Sequence, residues 1–365
     1  MKNIITITGI RPDFIRMSAI FKKLDKYFKH FLINTGQHYD RMLSDVFFEE
    51  LEIRKPYYNL EIGGKGKEHF HQLADVSVKL IELIRSENLN PDLILFLGDS
   101  NSSLVAAPLK KEGYRIGHIE AGMRSGDKRM LEEINRTCCD HCSDFLFVYH
   151  EDYKQNLLKE NIPEKDIFVV GNTIVEVCQP FLKEIFQTPK TRDFILMDIH
   201  RPENFNYPDR LKNIFKYAKL CKEKYNVPVK MIGFGRTLNK IKEYGIETDG
   251  IDFIDLMSYK KFLKAQYNAL FIISDSGTCQ EESGMLNTPV IVPRDFTERP
   301  QSMEYNCSFM LNVNYPSNCF LDEDNNTNWK KSFDYLEDIF NGSKKIDYSW
   351  LGDGKTSERI IDIIE

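Results

Sequence analysis

The feature that most constrains the fold is the regular alternation of short apolar runs with longer amphipathic stretches along the whole chain. Apolar runs of this length, bounded by Gly, Asp or Pro, are typical of buried strands, and the stretches between them have helical periodicity. Parallel strands covered on both faces read as continuous apolar runs, because neither face meets water. The sequence therefore predicts repeated β-α units in doubly wound α/β domains. The predicted strands are NIITIT, HFLINT, DLILFLG, RIGHIEA, DFLFVY, IFVVG, FILMDI, VPVKMIG, ALFIIS and PVIVP.

The length of 365 residues fits two domains better than one. We expect a Rossmann-like domain over residues 1–175 and a second over residues 176–365, with a C-terminal helix that could return to pack on the first. The boundary is expected near Gly171 to Pro189, before FILMDI begins a new set of strands. The acidic, Asn-rich stretch DEDNNTNW is expected to be a solvated loop. Two such domains facing each other would form a ligand cleft at the carboxyl ends of their strands.

Charge and hydropathy exclude two classes of partner. The net charge is −6, from 49 basic and 55 acidic residues without long single-sign blocks, which argues against a nucleic-acid partner. The chain has no run of about 18 apolar residues, which is the length a membrane helix needs. The start, MKNIITITGIRP, alternates into a strand and a turn instead of resembling a targeting segment. We therefore expect a cytoplasmic protein with no membrane partner.

The eight cysteines show no spaced framework, so reduced thiols are expected. Cys139 and Cys142 form a C-x-x-C motif, which raises the possibility of a zinc or redox site. The motif lies in the helix predicted from LEEINR and has no second pair of ligands nearby. Packing on a helix is therefore the favoured interpretation.

A glycine turn joins the first predicted strand to a helix in Thr8-Gly9-Ile10-Arg11-Pro12. Free backbone N–H groups at a helix N-terminus suit an anion such as a diphosphate, and Arg11 and Arg16 lie beside this turn. The motif is neither G-x-G-x-x-G nor a P-loop, and a simple turn is the alternative.

Acidic residues follow the next strands of the first half. Asp99 and Glu120 each come just after a strand, and Glu132 and Glu133 open the following helix. Carboxyl ends of parallel strands share one sheet edge, so we expect Asp99, Glu120 and one of this Glu pair to converge there. Converging carboxylates can supply acid and base at neutral pH. Helix capping and stabilisation of the helix dipole are the alternatives.

The second half has polar clusters at equivalent positions. His200 and Arg201 follow FILMD and offer cationic groups to a diphosphate. Ser276 and Gly277 form a turn between ALFII and a helix, and the pair Glu281-Glu282 follows one helical turn later. A hydroxyl-rich turn beside carboxylates suits a ribose, whereas stabilisation of the helix dipole is the structural alternative.

A series of motifs in register over residues 1–305 resembles the non-hydrolysing UDP-N-acetylglucosamine 2-epimerases: GIRPDFIRM, NTGQHYDRML, LGDSNSS, HIEAGMRSGD, EEINR, HRPEN, SDSGTCQEES and RDFTERPQ. The resemblance implies a glycosyltransferase-B architecture of two Rossmann-like domains facing a cleft, a UDP-sugar substrate, a homodimer, and no metal or nicotinamide cofactor. It also implies the reaction, which is anti elimination of UDP to a 2-acetamidoglucal followed by re-addition on the other face.

The resemblance also implies roles for individual residues. Asp99, Glu120 and Glu132 would be the catalytic carboxylates, and His200 would serve both the catalysis and the diphosphate. The residues implied to bind the sugar nucleotide or to support the acids are Arg11, Arg16, Arg136, Arg201, Ser276, Gly277 and Glu282.

The sequence departs from the family pattern in several places. Arg16 stands where lysine is usual, and Ser100-Asn101-Ser102 replaces a run of threonines. Both features resemble the branch that acts on UDP-2-acetamido-2,6-dideoxy-L-hexoses, so such a sugar is the alternative to UDP-N-acetylglucosamine. Leu131 replaces a proline and Phe234 a histidine, while GGKGKEHFH replaces a basic, Gln-containing stretch. The last two changes lie in the region where some members bind a second substrate molecule as an activator.

Three further functions remain as alternatives. A hydrolysing 2-epimerase would release free sugar and UDP, but the start GIRPDFIRM and the motif HRPEN argue against it. A glycosyltransferase of the same fold would not require three carboxylates in the first half. A non-catalytic sugar-nucleotide sensor would not need to keep Asp99, Glu120 and Glu132.

Overall fold

The structure is a computed structural model that describes residues 1–36, 45–63, 68–312 and 320–365. It contains two compact units. The first unit comprises Met1–Val177 and Leu351–Glu365, and the second comprises Cys178–Trp350. Each unit is built on a parallel β-sheet with helices along it, which confirms the predicted fold class.

The first unit has a parallel sheet whose described strands are β1 Asn3–Thr8, β2 Lys29–Asn34, β3 Tyr58–Asn59, β4 Leu93–Leu97, β5 Ile116–Ile119, β6 Phe145–Val148 and β7 Ile167–Val169. Their order is β3-β2-β1-β4-β5-β6-β7, which is the Rossmann order extended by one strand. The winding reverses between β1 and β4. In sheets of this kind, ligands bind beyond the carboxyl ends of the strands at such a reversal.

The second unit repeats this plan with the described strands β8 Ile195–Asp198, β9 Val229–Ile232, β10 Ile251–Ile254, β11 Ile272–Ser274, β12 Val290–Val292 and β13 Ser308–Met310. Their order is β10-β9-β8-β11-β12-β13, and neighbouring strands are parallel. The winding reverses between β8 and β11, so the turns after these strands occupy the position where ligands are expected.

Helices connect the strands. In chain order they are α1 Arg11–Tyr27, α2 Asp45–Glu50, α3 His69–Ser86, α4 Ala106–Lys111, α5 Leu131–Cys142, α6 Glu151–Lys159, α7 Thr173–Ile185, α8 Pro202–Phe205, α9 Pro208–Tyr225, α10 Gly235–Tyr244, α11 Tyr259–Asn268, α12 Gly277–Met285, α13 Gln301–Glu304, α14 Thr327–Phe340 and α15 Thr356–Ile364. The 3-10 segments are Asn101–Val105, Glu164–Asp166 and Ser349–Leu351.

The last helix, α15, belongs to the first unit and packs against α1. The Lys2 ammonium donates to the carbonyl of Ile364 at 3.0 Å. The backbone N–H of Ser357, in the first turn of α15, donates to Glu176 at 3.0 Å. These bonds fix both ends of the helix on its own unit.

The strands of the second unit show why the apolar runs are continuous. Ile195 and Met197 of β8 lie in one buried cluster, whereas Leu196 between them lies in another. Successive strand residues point to opposite faces, so both faces of this sheet are covered by apolar side chains. Apart from the buried Asp198 at its carboxyl end, β8 therefore contains only apolar residues.

All ten predicted strands are present, and the described residues contain three that were not predicted. These are β3, β10 and β13. β3 and β13 have two and three residues, too short for a distinct apolar run. β10 is an edge strand with Asp252 and Phe253 exposed, so it lacks the pattern of a strand buried on both faces.

The expectation of a solvated loop at DEDNNTNW was wrong for its second half. α14 begins at Thr327, and the side chain of the buried Asn326 caps it by accepting the N–H of Asn328 at 2.9 Å. Trp329 is completely buried in the core. The polar residues of this segment therefore include a helix cap, Asn326, as well as loop residues.

The C-x-x-C motif lies on α5, as predicted. Cys139 packs in the core, and the seven cysteines in the described ranges are free thiols. Cys319 lies outside the described residues. Among the helices that the structure describes, none is both long and apolar enough to cross a bilayer.

Candidate functional site

The turns at the carboxyl edge of the first sheet bring two of the predicted acids, Asp99 and Glu120, close to each other. Asp99 follows β4 by two residues, and Glu120 directly follows β5, its neighbour in the sheet. The N–H of Gly98 donates to the carbonyl of Ile119 at 3.0 Å, which ties the two turns to each other. A Cβ on Gly98 would lie 3.5 Å from Oε2 of Glu120, so the Glu120 carboxylate reaches back over the turn that carries Asp99.

The turn before α1 differs from the expectation of a free anion site. The Asp13 carboxylate accepts the N–H groups of Gly9 and Ile10 at 2.8 and 3.1 Å. The backbone donors that a diphosphate would use are therefore occupied by an acid of the chain itself. Burial raises the pKa of Asp13 to about 7, despite these two bonds, and the nearby charges of Asp99 and Glu120 act in the same direction.

Arg16 supplies the counter-charge for Glu120. Its Nε lies 3.2 Å from Oε2 of Glu120, and the two side chains are 4% and 7% exposed. The Arg16 guanidinium also lies over the Tyr149 ring, 5.4 Å from the ring centroid. Glu120 has a φ of +72°, a left-handed conformation that is unusual for glutamate and costs free energy. Conformations of this kind persist where the surroundings enforce them, and functional sites are typical places.

Arg136 links Asp99 to the helix α5. Its Nη2 contacts Oδ2 of Asp99, and its Nη1 lies 3.0 Å from Glu133. Arg136 is buried, whereas a quarter of the Asp99 side chain is exposed. The cation therefore sits behind the acid, and Asp99 presents its carboxylate to the solvent side.

The structure gives the two adjacent glutamates of α5, Glu132 and Glu133, different environments. Glu133 is buried and accepts hydrogen bonds from the N–H groups of Ser125 and Gly126 at 3.1 Å and from the Ser125 hydroxyl at 3.0 Å. Together with the bond from Arg136, these contacts use both carboxylate oxygens to hold the preceding loop. Glu132 is only partly buried. Glu133 thus has a structural role that the sequence did not reveal.

In the second unit, Asp275 holds the turn that carries the predicted cations. Its carboxylate accepts the backbone N–H groups of His200 and Arg201, each at 3.0 Å, and the Asn204 amide at 2.9 Å. Asp275 follows β11 and the turn follows β8, which are neighbouring strands at the reversal of winding. The structure therefore brings Ser276 next to His200 and Arg201. Asp275 itself was not among the predicted site residues, although its position after a strand was a signal.

His200 carries a positive charge more readily than an ordinary histidine. Burial opposes the charged ring, but the carboxylates of Asp198 and Asp275 raise the pKa of His200 above its usual value. Its Nδ1 lies 2.8 Å from Asp198, and a third of the side chain is exposed. Phe234, at the position of the expected second-domain histidine, packs against the ring with centroids 5.1 Å apart.

Asp198, His200 and Asp275 are also the one group of three described side chains close enough together to hold a metal ion. Hydrogen bonds account for their arrangement, because Asp198 pairs with His200 and Asp275 accepts backbone N–H groups. No metal is required to explain this cluster.

Ser276 and Gly277 begin α12 as predicted. The Ser276 hydroxyl caps the helix by accepting the N–H of Cys279 at 3.5 Å. A Cβ on Gly277 would overlap Nη1 of the buried Arg299, so glycine leaves room for this guanidinium. The reason for glycine here is therefore space and not a positive φ.

Glu282 is less accessible than expected for a residue that binds a ribose. It is buried, and its two oxygens accept hydrogen bonds from the Tyr259 hydroxyl at 2.7 Å and from the Gln266 amide at 2.6 Å.

Two of the arginines predicted to bind the nucleotide, Arg201 and Arg11, are more accessible. A sixth of the Arg201 side chain is exposed, and its Nη2 lies 3.9 Å from Oε1 of Glu298. Arg11 is partly buried, with its guanidinium 5.3 Å from the centroid of the Phe47 ring. Of the motif NTGQHYDRML, residues 37–43 lie outside the described residues, as do residues 64–67 of GGKGKEHFH.

Two Rossmann-like units with polar turns at their strand ends define a protein of the glycosyltransferase-B class of folds. The chain belongs to the UDP-N-acetylglucosamine 2-epimerase family, whose sequence model matches residues 22–365. Epimerases are isomerases, so the chain is an enzyme of that class. The family predicted from the motifs is confirmed.

Individual relatives agree with this assignment. The UDP-N-acetylglucosamine 2-epimerase of Methanocaldococcus jannaschii is 34% identical over 381 aligned positions, covering 98% of this chain and 97% of the relative. A crystal structure of the enzyme from the same organism, in complex with UDP-GlcNAc and UDP, matches with a TM-score of 0.87 and covers 100% and 99% of the two chains at 34% identity. The UDP-2,3-diacetamido-2,3-dideoxy-D-glucuronate 2-epimerase of Pseudomonas aeruginosa is 33% identical, covering 81% of this chain and 84% of the relative.

Proposed function

We propose that this enzyme inverts C2 of a UDP-2-acetamido sugar without hydrolysing it, with UDP-N-acetylglucosamine as the default substrate. The observation that carries the proposal is the set of acids at one sheet edge, where Glu120 pairs with Arg16 and Asp99 pairs with Arg136. The M. jannaschii enzyme that was crystallised with UDP-GlcNAc and UDP supports the choice of substrate.

The chemistry is assigned to the first unit. The proton at C2 is hardly acidic, so a carboxylate must take it while the bond from C1 to the UDP oxygen breaks with its electron pair. The products are a 2-acetamidoglucal with a C1–C2 double bond, UDP, and a protonated carboxyl group. In the second half, a carboxyl group gives a proton to C2 from the opposite face, and the UDP oxygen returns to C1. Asp99, Glu120 and Glu132 are the acids proposed for these transfers.

Retention of UDP is assigned to the second unit. The turn after β8 offers the His200 ring and the Arg201 guanidinium, and charge-assisted bonds from such groups stabilise a diphosphate leaving group. The raised pKa of His200 keeps its ring cationic nearer to neutral pH, which favours an anionic partner. The N-terminus of α12, which Ser276 caps and Gly277 begins, adds the positive end of a helix dipole beside this turn. Holding UDP until it re-adds is what separates epimerisation from hydrolysis.

Arg11 is proposed to contact the sugar nucleotide directly, because Asp13 occupies the neighbouring backbone donors. Glu282 is proposed to lie at the ribose, although its two oxygens already accept hydrogen bonds from Tyr259 and Gln266.

A 6-deoxy-L sugar nucleotide is the second candidate substrate. Arg16 in place of lysine and the run Ser100-Asn101-Ser102 are the features that favour it. The experiment is to incubate the protein with UDP-N-acetylhexosamines of the D-gluco and 6-deoxy-L series and to follow the products by NMR. We expect a C2-epimeric UDP-sugar to accumulate to equilibrium without stoichiometric free UDP. Release of free sugar and UDP in equal amounts would establish the hydrolysing alternative instead.

We also propose a homodimer. Exposed apolar side chains on α3 and α5 support this, namely Phe70, Val78, Leu131 and Ile134. The two helices lie on either side of Asn101, whose amide group bonds to His69 at 2.9 Å and to Asn135 at 3.3 Å. Light scattering on the full chain tests this proposal. A role in supplying glycan precursors and a cytoplasmic location stay predictions.

A further inference from the structure

A completely buried histidine lies directly behind the acids of the first unit. His118 is in β5, two residues before Glu120. Its Nδ1 lies 2.6 Å from Oδ1 of Asp140, and its Nε2 lies 2.8 Å from the carbonyl oxygen of Gly98. A carbonyl oxygen and a carboxylate can only accept hydrogen bonds, so each ring nitrogen must carry a proton. The geometry therefore requires an imidazolium ion at His118.

Asp140 is held in its ionised form by donors on its other side. Its Oδ2 accepts the backbone N–H of Gly122 at 3.1 Å and lies 2.7 Å from Nη1 of Arg124. Burial opposes ionisation, but the charges of His118 and Arg124 outweigh it and lower the pKa of Asp140. Arg124 is in turn paired with Glu160 through two bonds of 2.8 Å. The four side chains form a row of alternating charges, in which the completely buried ions of His118 and Asp140 each lie beside an opposite charge.

The chain segments that meet at His118 and Asp140 are those that carry the proposed catalytic acids. Gly98 immediately precedes Asp99, and Gly122 follows Glu120 by two residues. Asp140 lies on α5, the same helix that carries Glu132. The His118–Asp140 pair thus bonds to the turn that carries Asp99 and to the turn that carries Glu120. It also joins both turns to α5, the helix that carries Glu132.

We propose that His118 and Asp140 form a positioning junction that sets the relative placement of Asp99, Glu120 and Glu132. The inference rests on the proposed function, in which these acids carry out the proton transfers. His118 touches backbone and Asp140 rather than substrate, so it acts through the acids and is a positioning residue. A neutral imidazole could donate to only one of its two acceptors and would leave the other unsatisfied and buried.

The need for such a junction follows from the turns themselves. Gly98 and Glu120 have φ values of +70° and +72°, and for glutamate this conformation is strained. Strained turns relax when their anchors are removed, and a displacement of about 1 Å at a catalytic group can cost about 10²-fold in rate. The junction is therefore expected to affect turnover far more than nucleotide binding.

The variants His118→Asn and His118→Gln test the two hydrogen bonds of the His118 ring separately. Asparagine can place a donor near the Nδ1 position toward Asp140, whereas glutamine can place one near the Nε2 position toward Gly98. Because each keeps one bond and loses the other, we expect kcat to fall by about 10- to 100-fold in each. The KM and the Kd for UDP should change by less than about 3-fold, since the diphosphate contacts are assigned to His200 and Arg201 of the second unit.

A second buried histidine of the same sheet provides a matched control. His30 in β2 has its Nδ1 2.6 Å from Asp25 and its Nε2 2.8 Å from the Thr6 hydroxyl. His30→Gln should lower Tm as the His118 variants do and leave kcat within about 2-fold of wild type. A fall in kcat for His30→Gln equal to that for His118→Asn would mean that loss of packing is the cause, and would overturn the proposal.

A spectroscopic measurement on the wild-type enzyme keeps the test valid if the His118 variants fail to fold. With ¹⁵N-labelled histidine, the His118 ring should show two protonated nitrogens from pH 6 to 9, with and without UDP. An unprotonated ring nitrogen at pH 8, or a kcat for folded His118→Asn within about 3-fold of wild type, would overturn the junction. Failure of the wild-type enzyme to epimerise any UDP-sugar of the panel would instead reject the proposed function, and the ring spectrum would still report on His118.

Discussion

Arg16 and Glu120 form a buried ion pair, with Nε of Arg16 3.2 Å from Oε2 of Glu120. The pair joins α1 to the turn after β5, two elements more than a hundred residues apart in the chain. Removing one partner of such a pair leaves an uncompensated buried charge, which is strongly unfavourable. The strained backbone of Glu120 and its pairing with a fixed guanidinium together indicate that the orientation of this carboxylate matters.

The first prediction concerns this pair. Arg16→Met should destabilise the protein by about 3–5 kcal/mol, the usual range for breaking a buried pair, and should lower kcat because Glu120 then favours its neutral form. Arg16→Lys keeps the charge but loses the guanidinium geometry, so we expect a smaller effect on both quantities. Melting curves and steady-state kinetics on the two variants check this. Equal kcat values for Arg16→Met and wild type would contradict a role for the pair in catalysis.

The second prediction uses the neighbouring glutamates of α5 as a matched pair. Glu132→Gln should lower turnover by about 10²-fold, as loss of a positioned acid or base does, while UDP still binds. Glu133→Gln should mainly lower Tm, because Glu133 holds the Ser125–Gly126 loop through both oxygens. Asp99→Asn and Glu120→Gln should lower turnover as Glu132→Gln does, and Glu120→Gln should also lower Tm because it removes the charge that pairs with the buried Arg16. If Glu133→Gln lost turnover at unchanged Tm and Glu132→Gln did not, the assignment of the two glutamates would be reversed.

The third prediction concerns the pH dependence of stability. Asp13 has a pKa of about 7 in the folded protein, above the usual value of a carboxyl group. The folded state therefore binds this proton more tightly than the unfolded state, and its contribution to stability is lost as the pH rises from about 4 to about 7. Asp13→Asn removes this dependence, so Tm of the variant relative to wild type should be higher at pH 8 than at pH 5. A Tm difference that is the same at both pH values would show that Asp13 does not titrate in this range.

The fourth prediction concerns the retention of UDP. Arg201→Ala should weaken UDP binding and increase the release of the 2-acetamidoglucal, since a contact to the leaving group is lost. Arg192, an exposed arginine of the same unit, provides the control, and Arg192→Ala should leave both quantities unchanged. Calorimetry with UDP and NMR detection of the glucal measure the two effects. Normal UDP binding by Arg201→Ala, with no glucal released, would contradict the assigned diphosphate site.

Much of the fold could be predicted because buried parallel strands leave continuous apolar runs, and ten of them were recognised. β10 was missed because an edge strand with exposed Asp252 and Phe253 carries no such run. The expected placement of Asp99 and Glu120 followed from strand order, because neighbouring parallel strands end at one edge. Local periodicity could not show that Asp13 would fill the donors before α1, since that depends on a side chain turning back on its own helix.

The buried partners were the least predictable part of the site. Nothing in the sequence spacing connects His118 to Gly98 and Asp140, because the contacts join residues that are 20 and 22 positions apart across two strands and a helix. The C-x-x-C motif drew attention to Cys139 and Cys142, whereas the residue between them that makes the decisive contact is Asp140. For Glu282 the sequence was misleading in the opposite way. Its position one helical turn after the turn at Ser276 predicted an accessible carboxylate for a ribose, whereas the fold buries its side chain.

The central claim is that carboxyl groups exchange the proton at C2 while UDP leaves and returns. The most direct test is to incubate the wild-type enzyme with UDP-N-acetylglucosamine in D₂O and to examine C2 by NMR and mass spectrometry. We predict an epimeric UDP-sugar that carries deuterium at C2, because carboxyl protons exchange with solvent, together with UDP that stays bonded to sugar at equilibrium. Epimerisation without deuterium at C2 would contradict the account.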